Sequence, residues 1–282
     1  ATPITVKKEG NGWEEKNGVD YYWPKETVEN VNLSFAAYSP AELPDGATAS
    51  YGATGLTITD FTVNNDVSKQ IDLMFSDRTL NQTEPDSDTE GVGINFNHAL
   101  SSIVFSAVEI DDNAAYQITG ISINGNFVTK ATFEETVEDV PTYVYSVGGN
   151  NNTANPQWSN PTTTTDQSYT PDFAAYDVTT TATEFTGHVA TQATTAILTI
   201  PQTIPDDATV TITYEYNPTN GVGGTYTKTV NFSEFITTGT PITAWEVGKR
   251  YTYLFQFGGT KKIFFTPTVD NWTSVAAGTV II

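Results

Sequence analysis

Polar and apolar residues alternate with a period of two along much of the last third of the chain. Every second residue from 210 to 216 is apolar, and the pattern largely resumes over residues 226–232 after a loop containing Asn and Gly. Because successive side chains of a strand point to opposite faces, this spacing predicts an antiparallel hairpin with one buried face. Residues 251–257 repeat the alternation, and residues 263–269 predict a further strand.

The earlier part of the chain also has the short apolar runs of strands. Residues 94–110 form the longest hydrophobic stretch, and its continuous character predicts a central strand covered on both faces. In residues 56–63 and 118–128 the apolar positions shift from one face to the other, which indicates β-bulges near Asp60 and Gly120. No window sustains a period of 3.6 residues, so we predict an all-β fold.

Composition supports this class and predicts its domain organisation. Of the 282 residues, 49 are threonine, and aromatic residues make up 12% of the chain; both types suit a pleated, half-buried surface. The 21 glycines and 14 prolines lie mostly between short apolar runs, as in β-sandwiches. Aliphatic residues become scarce after Val147, which predicts two antiparallel β-sandwich domains covering residues 1–147 and 148–282.

The charge balance excludes several classes of partner and chemistry. With 33 acidic and 12 basic residues the formal net charge is −21, so the chain cannot form a broad basic face for nucleic acid or an anionic bilayer. No apolar run reaches the roughly 18 residues of a membrane span. The chain has no cysteine, which excludes disulfides, thiolate metal sites and cysteine nucleophiles.

Residues with catalytic or metal-binding chemistry are sparse, and we predict no catalytic residue, no cofactor and no metal site. His98 leads into the most apolar stretch, where a structural hydrogen bond is the better interpretation, and His188 lies in a Thr-rich segment without a motif. Residues 86–90 copy the first half of a calcium loop, but Asn97 occupies the position of the required bidentate Glu. These carboxylates are interpreted as a solvated acidic loop.

Trp158 is the tryptophan whose context leaves two interpretations open. It lies in a segment of Pro, Gln, Ser and Asn, where an indole could form a sugar-stacking platform. Core packing or a position at the rim of a sheet is the alternative.

Several short stretches occur in an order that is similar to a known family. They are residues 21–24 (Tyr-Tyr-Trp-Pro), 33–40 (Leu-Ser-Phe-Ala-Ala-Tyr-Ser-Pro), 72–75 (Asp-Leu-Met-Phe), 96–105 (Phe-Asn-His-Ala-Leu-Ser-Ser-Ile-Val-Phe), 245–253 (Trp-Glu-Val-Gly-Lys-Arg-Tyr-Thr-Tyr), 262–265 (Lys-Ile-Phe-Phe) and 269–272 (Val-Asp-Asn-Trp). Together they resemble the fimbrillin-like family, the type V pilin subunits of Gram-negative anaerobes.

The resemblance implies a fold, a location and an assembly mechanism. It implies two consecutive transthyretin-like β-sandwich domains and export as a lipoprotein, with a lipidated cysteine upstream of this sequence as the outer-membrane anchor. Removal of an N-terminal strand at the cell surface would then open a groove for a strand from the next subunit. The expected removable strand contains Ile4, Thr5 and Val6. The expected donor or C-terminal strands contain Ile263, Phe265, Val269, Val280, Ile281 and Ile282.

One departure from the family concerns processing, which in its best-known members follows an arginine. Arg78 and Arg250 lie far beyond the first strand, and Lys7 and Lys8 are the nearest basic residues. Either another protease acts, or the subunit keeps its strand and caps or anchors the fibre.

We therefore expect a structural, non-enzymatic subunit of a cell-surface fimbria, a pilin that supports cell adhesion. Its partners would be other pilin subunits, joined by donor-strand exchange. The alternative is a tip adhesin or a surface glycan-binding lipoprotein that recognises a host or bacterial ligand. A β-sandwich hydrolase is a third class, for which the composition offers no clustered carboxylate pair.

Overall fold

A computed structural model of the chain describes residues 4–9, 12–18, 33–52, 55–82, 94–110, 114–136, 151–152, 155–172, 174–186, 196–235, 242–258 and 262–272. Within these ranges the regular structure consists of strands and two short 3-10 turns, Val67–Lys69 and Phe232–Glu234. The predicted all-β class is confirmed.

The strands follow one another in chain order. The first eleven are β1 (Val6–Glu9), β2 (Gly12–Glu15), β3 (Leu33–Phe35), β4 (Tyr38–Ser39), β5 (Thr48–Gly52), β6 (Gly55–Thr62), β7 (Met74–Ser76), β8 (Arg78–Gln82), β9 (Phe96–His98), β10 (Ser101–Glu109) and β11 (Ala114–Thr136). The others are β12 (Asn151–Asn152), β13 (Asn155–Tyr169), β14 (Tyr176–Asp177), β15 (Thr183–Glu184), β16 (Ile197–Thr199), β17 (Gln202–Thr203), β18 (Thr209–Pro218), β19 (Gly224–Asn231), β20 (Ala244–Trp245), β21 (Lys249–Gly258) and β22 (Lys262–Asn271).

Two large sheets organise these strands. The seven-stranded sheet has the order β19-β18-β11-β6-β5, and β13 and β14 also pair with β11. The five-stranded sheet has the order β15-β10-β21-β22, and β16 also pairs with β10. The predicted hairpin is β18 and β19, whose register places Tyr214 opposite Tyr226 and Val210 opposite Val230.

The two large sheets pack face to face over an aromatic core. Phe232, which follows β19, packs against Trp245 with ring centroids 5.3 Å apart and against Tyr253 of β21 at 5.0 Å. All three side chains are at most 2% exposed. The β10 strand is buried on both faces over residues 101–107, as its continuous hydrophobic pattern predicts.

Two of the predicted irregularities in the strands, the bulges, are found where the sequence predicts them, and one predicted strand is interrupted. The register shifts of β6 and β11 place bulges at Asp60, whose φ is 56°, and at Gly120. The strand predicted over residues 94–110 is instead split into β9 and β10. The break occurs because Ala99 donates its amide hydrogen to Leu73, and Leu100 accepts from Gly248.

Both large sheets combine strands from the two sides of residue 147. In the five-stranded sheet β10 pairs with β21 in parallel, and in the other sheet β11 pairs with β18. Their buried residues form one continuous core. The proposed joint at residues 147–149 lies outside the described ranges. The division into two transthyretin-like domains stays a prediction, and residue 147 does not coincide with a boundary between the large sheets.

Candidate assembly site

The segment expected to be removable belongs to a small two-stranded sheet. Val6 begins β1, which pairs antiparallel with β2, and the Lys16 amide donates to the Thr5 carbonyl over 2.8 Å. Ile4 is 49% exposed and Val6 is 51% exposed. Among the strands that the structure describes, β2 is the partner of β1. The first strand is therefore held by a hairpin rather than by a large sheet.

The C-terminal strand β22 forms one edge of the five-stranded sheet. It contains three of the expected donor residues, Ile263, Phe265 and Val269. They lie opposite three buried aromatic residues of β21, Phe257, Phe255 and Tyr251. Within the described ranges β22 has no partner beyond β21. The remaining expected donor residues, Val280, Ile281 and Ile282, lie outside those ranges.

Hydrogen bonds near both ends of β21 show which backbone groups of β22 point outward. The Trp272 amide donates to the Gly248 carbonyl over 2.8 Å, and the Ile110 amide donates to the Phe257 carbonyl over 2.9 Å. Because backbone groups alternate in direction along antiparallel strands, even-numbered residues of β22 pair with β21 and odd-numbered residues point away. Pro267 is one of the outward residues and has no amide hydrogen, so it interrupts the row of donors near its centre.

The β19 strand forms the corresponding edge of the seven-stranded sheet. The Phe232 amide donates to the Ala208 carbonyl over 3.0 Å, which continues the even-numbered hydrogen-bonded pairs of β18 and β19. The backbone groups of Thr225, Thr227 and Thr229 therefore point away from β18. No described strand pairs with this outer row, and no proline interrupts it.

The outer edges of β19 and β22 lie on the same side of the packed sheets. Tyr176 of β14 stacks on Phe185, next to β15, at 5.8 Å, and Tyr214 of β18 packs on Phe257 of β21 at 5.3 Å. These contacts align the two strand orders, so β19 and β22 are the outermost described strands at the same edge of the packed sheets. We call the space along these two edges the open side.

A shallow surface recess lies where β11, β18 and β19 meet. Four tyrosines line it: Tyr116, Tyr214, Tyr216 and Tyr226. The Tyr116 hydroxyl donates to the carbonyl of Gly258 at the end of β21 over 3.1 Å, and the rings of Tyr214 and Tyr226 stack at 5.9 Å. Burial, with a smaller effect of Tyr226, raises the pKa of Tyr214, so its hydroxyl stays neutral near pH 7. We call this aromatic site the tyrosine recess.

His98 connects the end of β22 to the rest of the molecule. Its Nδ1 lies 3.0 Å from the Asp72 carboxylate, and its ring stacks on Trp272 with centroids 3.7 Å apart and 2° between the planes. The imidazole is buried. These contacts give His98 the structural hydrogen-bonding role predicted from the sequence and hold the point at which β22 ends.

Trp158 packs within the protein rather than forming an open platform. Its indole Nε1–H donates to the Ala99 carbonyl over 2.8 Å. Its ring contacts Phe61 and Phe133 edge-on, at 5.7 and 5.3 Å. Of the two interpretations, the structure supports core packing.

The other sequence candidates give no reactive cluster where they can be described. In the ranges given above, no three His, Asp or Glu side chains are grouped so that they could hold a metal ion. His188 and the acidic residues 86–90 lie outside those ranges. Nor does any described helix have the length and apolar character needed to cross a membrane.

The tyrosine recess was not identified from the sequence. Alternation assigned Tyr214, Tyr216 and Tyr226 to the buried face of a hairpin, but it could not show that this face reaches an open edge. Tyr116 lies about 100 residues earlier, in β11, and joins them only through the register of β11 with β18.

The chain was compared with known protein families, sequences and solved structures. A family model described as fimbrillin-like matches residues 1–272. A fimbrial protein from Bacteroides vulgatus has a similar structure, with 18% identity, a TM-score of 0.53, and coverage of 96% of this chain and 85% of that one. A Bacteroides uniformis protein assigned provisionally to cell adhesion has 18% identity, a TM-score of 0.47, and coverage of 93% and 80%. No curated protein sequence matches the chain. The match over residues 1–272 confirms the resemblance, and the chain belongs to the fimbrillin-like family.

Proposed function

We propose that this chain is a structural subunit of a cell-surface fimbria that supports cell adhesion and has no enzymatic activity. The family match over residues 1–272 carries the proposal. The all-β architecture supports it, because two outer edges have no partner among the described strands and such edges are where strands from neighbouring molecules can join. Anchoring in the outer membrane through a lipidated cysteine upstream of this sequence belongs to the same proposal.

Subunits assemble by strand exchange in this proposal. A strand that adds to the open side forms backbone ladder hydrogen bonds and buries its inward side chains. Three or four buried aliphatic side chains, at about 1.5–3 kcal/mol each, give roughly 5–10 kcal/mol before the ordering costs of association. That gain favours slow dissociation, as a fibre requires.

The two ends of the chain supply the exchanged strands. Ile4, Thr5 and Val6 are the removable strand in this proposal; Val6 begins the hairpin of β1 and β2, and Ile4 and Val6 are exposed. At the other end, residues 263–269 already pair with β21 of their own copy. The proposal therefore assigns the free donor to Val280, Ile281 and Ile282.

Immunogold electron microscopy tests the fimbrial role. Cells that produce the chain should carry labelled filaments, and cells from which it has been deleted should not. Absence of label from every filament would overturn the proposal.

A pair of variants tests the donor assignment. Val280→Asp should abolish filaments because it would bury an unpaired charge in the acceptor. Val222→Asp is the matched control, since Val222 is 92% exposed and an added carboxylate there stays in water. Filaments of normal length in Val280→Asp cells would refute this assignment.

A further inference from the structure

Four asparagines of the chain are followed directly by glycine, and this pair of residues has a reactivity of its own. They are Asn11, Asn17, Asn124 and Asn220. The carboxamide carbon of an asparagine can be attacked by the backbone nitrogen of the next residue, and glycine leaves that nitrogen unhindered because it has no Cβ. The sequence gives all four pairs the same chemistry, so the folded structure decides which of them reacts. Asn11 lies outside the described ranges.

Two conditions in the folded chain control this attack. The five-membered ring closes only if the asparagine side chain can turn over the next amide, which a fixed extended backbone prevents. The glycine nitrogen must also be free, because an amide that donates a hydrogen bond is held in place by its acceptor. Pairs in ladders and closed turns are therefore protected, and pairs in exposed loops are reactive.

The pair at Asn124 lies within β11 and is protected from both sides. Asn124 lies opposite Thr209 of β18 and opposite Ser168 of β13, and Gly125 continues the same paired strand. The Asn124 side-chain amide donates to the Ser122 hydroxyl over 3.2 Å. Attack at Asn124 therefore requires the ladder to open first.

The pair at Asn17 lies in a turn whose groups are bound to Glu15. The Asn17 side-chain amide donates to one Glu15 carboxylate oxygen over 3.1 Å, and the Asn17 backbone amide donates to the other over 2.7 Å. The Gly18 amide donates to the Glu15 carbonyl over 3.2 Å. Both the attacked group and the attacking nitrogen of this pair are thus engaged.

The pair at Asn220 lies in the loop that joins β18 to β19, beyond the last ladder pair of Tyr216 with Gly224. Asn220 and Gly221 are exposed, and neither the Asn220 side chain nor the Gly221 amide has a hydrogen bond to any residue that the structure describes. Gly221 adopts a φ of 138°, which favours glycine. The turn that requires glycine at this position therefore supplies the unhindered nitrogen.

The base of this loop is fixed although its tip is exposed. A Cβ on Gly223 would lie 2.6 Å from the Tyr216 carbonyl oxygen and 2.8 Å from Asn217 Oδ1, so the Gly223 backbone packs closely on the end of β18. Below it, the rings of Tyr214 and Tyr226 stack across the hairpin. A covalent change at the tip can therefore occur without separating the two strands.

We propose that Asn220 is a site of spontaneous modification, which converts to aspartate and isoaspartate through a cyclic imide while the hairpin stays folded. The Gly221 nitrogen forms a bond to the Asn220 carboxamide carbon, and its proton leaves with the side-chain NH2 as ammonia. Water then opens the imide. Hydrolysis at the side-chain carbonyl gives aspartate, and hydrolysis at the backbone carbonyl gives isoaspartate, in which the main chain continues through the former side chain.

The modification changes the charge and the length of the loop. Either product adds a carboxylate beside Val222, which is 92% exposed, and isoaspartate also lengthens the backbone by the former Cβ. Exposed loop tips tolerate such insertions, so the fold is retained. Because the reaction needs only the folded chain and water, it proceeds whether or not the chain assembles into fimbriae.

Peptide mass spectrometry of the purified full-length chain tests the site. The folded chain is incubated at neutral pH, and conversion is followed at each Asn–Gly pair by the mass gain and by methylation with an isoaspartyl methyltransferase. Asn220 should convert at least about tenfold faster than Asn124, because attack at Asn124 first requires local opening. In urea the two rates should converge, since unfolding removes the protection of the ladder. Equal rates in the folded chain, or slower conversion at Asn220, would overturn the proposal.

Two variants separate the reaction at Asn220 from other changes in the chain. Asn220→Gln keeps a carboxamide but would have to form a six-membered ring, so the loop peptide should no longer convert. Asn17→Gln is the matched control in an exposed turn, and the loop peptide should convert at the wild-type rate. Conversion of the loop peptide in Asn220→Gln, or a slower rate in Asn17→Gln, would contradict the mechanism.

The stability of the aged chain tests whether the hairpin stays folded. Wild-type chain with converted Asn220 should have the same urea midpoint as freshly purified chain and as Asn220→Asp. A midpoint that falls in step with the conversion would refute modification in the folded hairpin.

Discussion

The hydrogen bond between Trp245 and Tyr253 joins two side chains at the centre of the core. The Trp245 Nε1–H donates to the Tyr253 hydroxyl over 2.9 Å, and both residues are 1% exposed. Tyr253→Phe keeps the ring and its contacts with Phe232 and Phe235 but removes the acceptor. A buried donor left without a partner costs about 1–3 kcal/mol, so the free energy of unfolding should fall by that amount.

Urea unfolding followed by circular dichroism measures this loss. The midpoint should fall at an unchanged slope, since the surface exposed on unfolding stays the same. Tyr216→Phe is the matched control, because Tyr216 is only half-buried and lines the recess, and it should change stability by less than about 0.5 kcal/mol. If Tyr253→Phe is as stable as this control, the buried hydrogen bond does not contribute as argued.

The same residue predicts a dependence on alkaline pH. Burial raises the pKa of Tyr253 above its ordinary value of 10.0. Above pH 10 the unfolded phenol therefore loses its proton while the folded one keeps it, and stability falls as pH rises. The stability that depends on the neutral Tyr253 hydroxyl is therefore fully present below pH 10. Between pH 10 and 12 the Tyr253→Phe variant should lose less stability than the wild-type chain. Equal losses would refute this assignment.

Three further substitutions test the packing of the core. Gly125→Ala should cost about 1–3 kcal/mol in thermal unfolding because its Cβ would lie 3.0 Å from Ala208 Cα, whereas Gly120→Ala meets its nearest neighbour at 3.9 Å and should be better tolerated. Thr186→Val should cost about 1–3 kcal/mol because the buried Thr186 hydroxyl bonds the Phe105 backbone; an equal effect of exposed Thr181→Val would contradict this reason. Trp158→Phe should lower stability through loss of its bond to Ala99 while leaving any binding on a glycan array unchanged; a selective loss of glycan binding would revive the platform interpretation.

The sequence by itself determined the features that depend on neighbouring residues. The period of two identified the hairpin of β18 and β19, and the shifts of apolar parity located the bulges at Asp60 and Gly120. The ordered motifs identified the family. Each of these signals is local, because the alternation of side chains along a strand depends only on backbone geometry.

Segments without an apolar period were predicted less well. The structure contains a 15-residue strand at β13, where the sequence shows mainly Thr, Asn and Pro, and a short strand at β5, whose sequence is Thr-Ala-Ser-Tyr-Gly. Residues 161–166 of β13 are exposed. A strand held by pairing with β11 needs no buried face of its own, so hydrophobic periodicity cannot reveal it.

Only the tertiary structure decided which strands are neighbours. The parallel pairing of β10 with β21 joins residues about 150 positions apart, and it puts strands from both sides of residue 147 in one sheet. The same long-range registers bring Tyr116 to the tyrosine recess and leave β19 and β22 as the outer edges among the described strands. Backbone hydrogen bonding is nearly independent of side-chain identity, so the sequence of a strand predicts that it will pair but does not identify its partner strand. The partner is determined by the packing of the whole core.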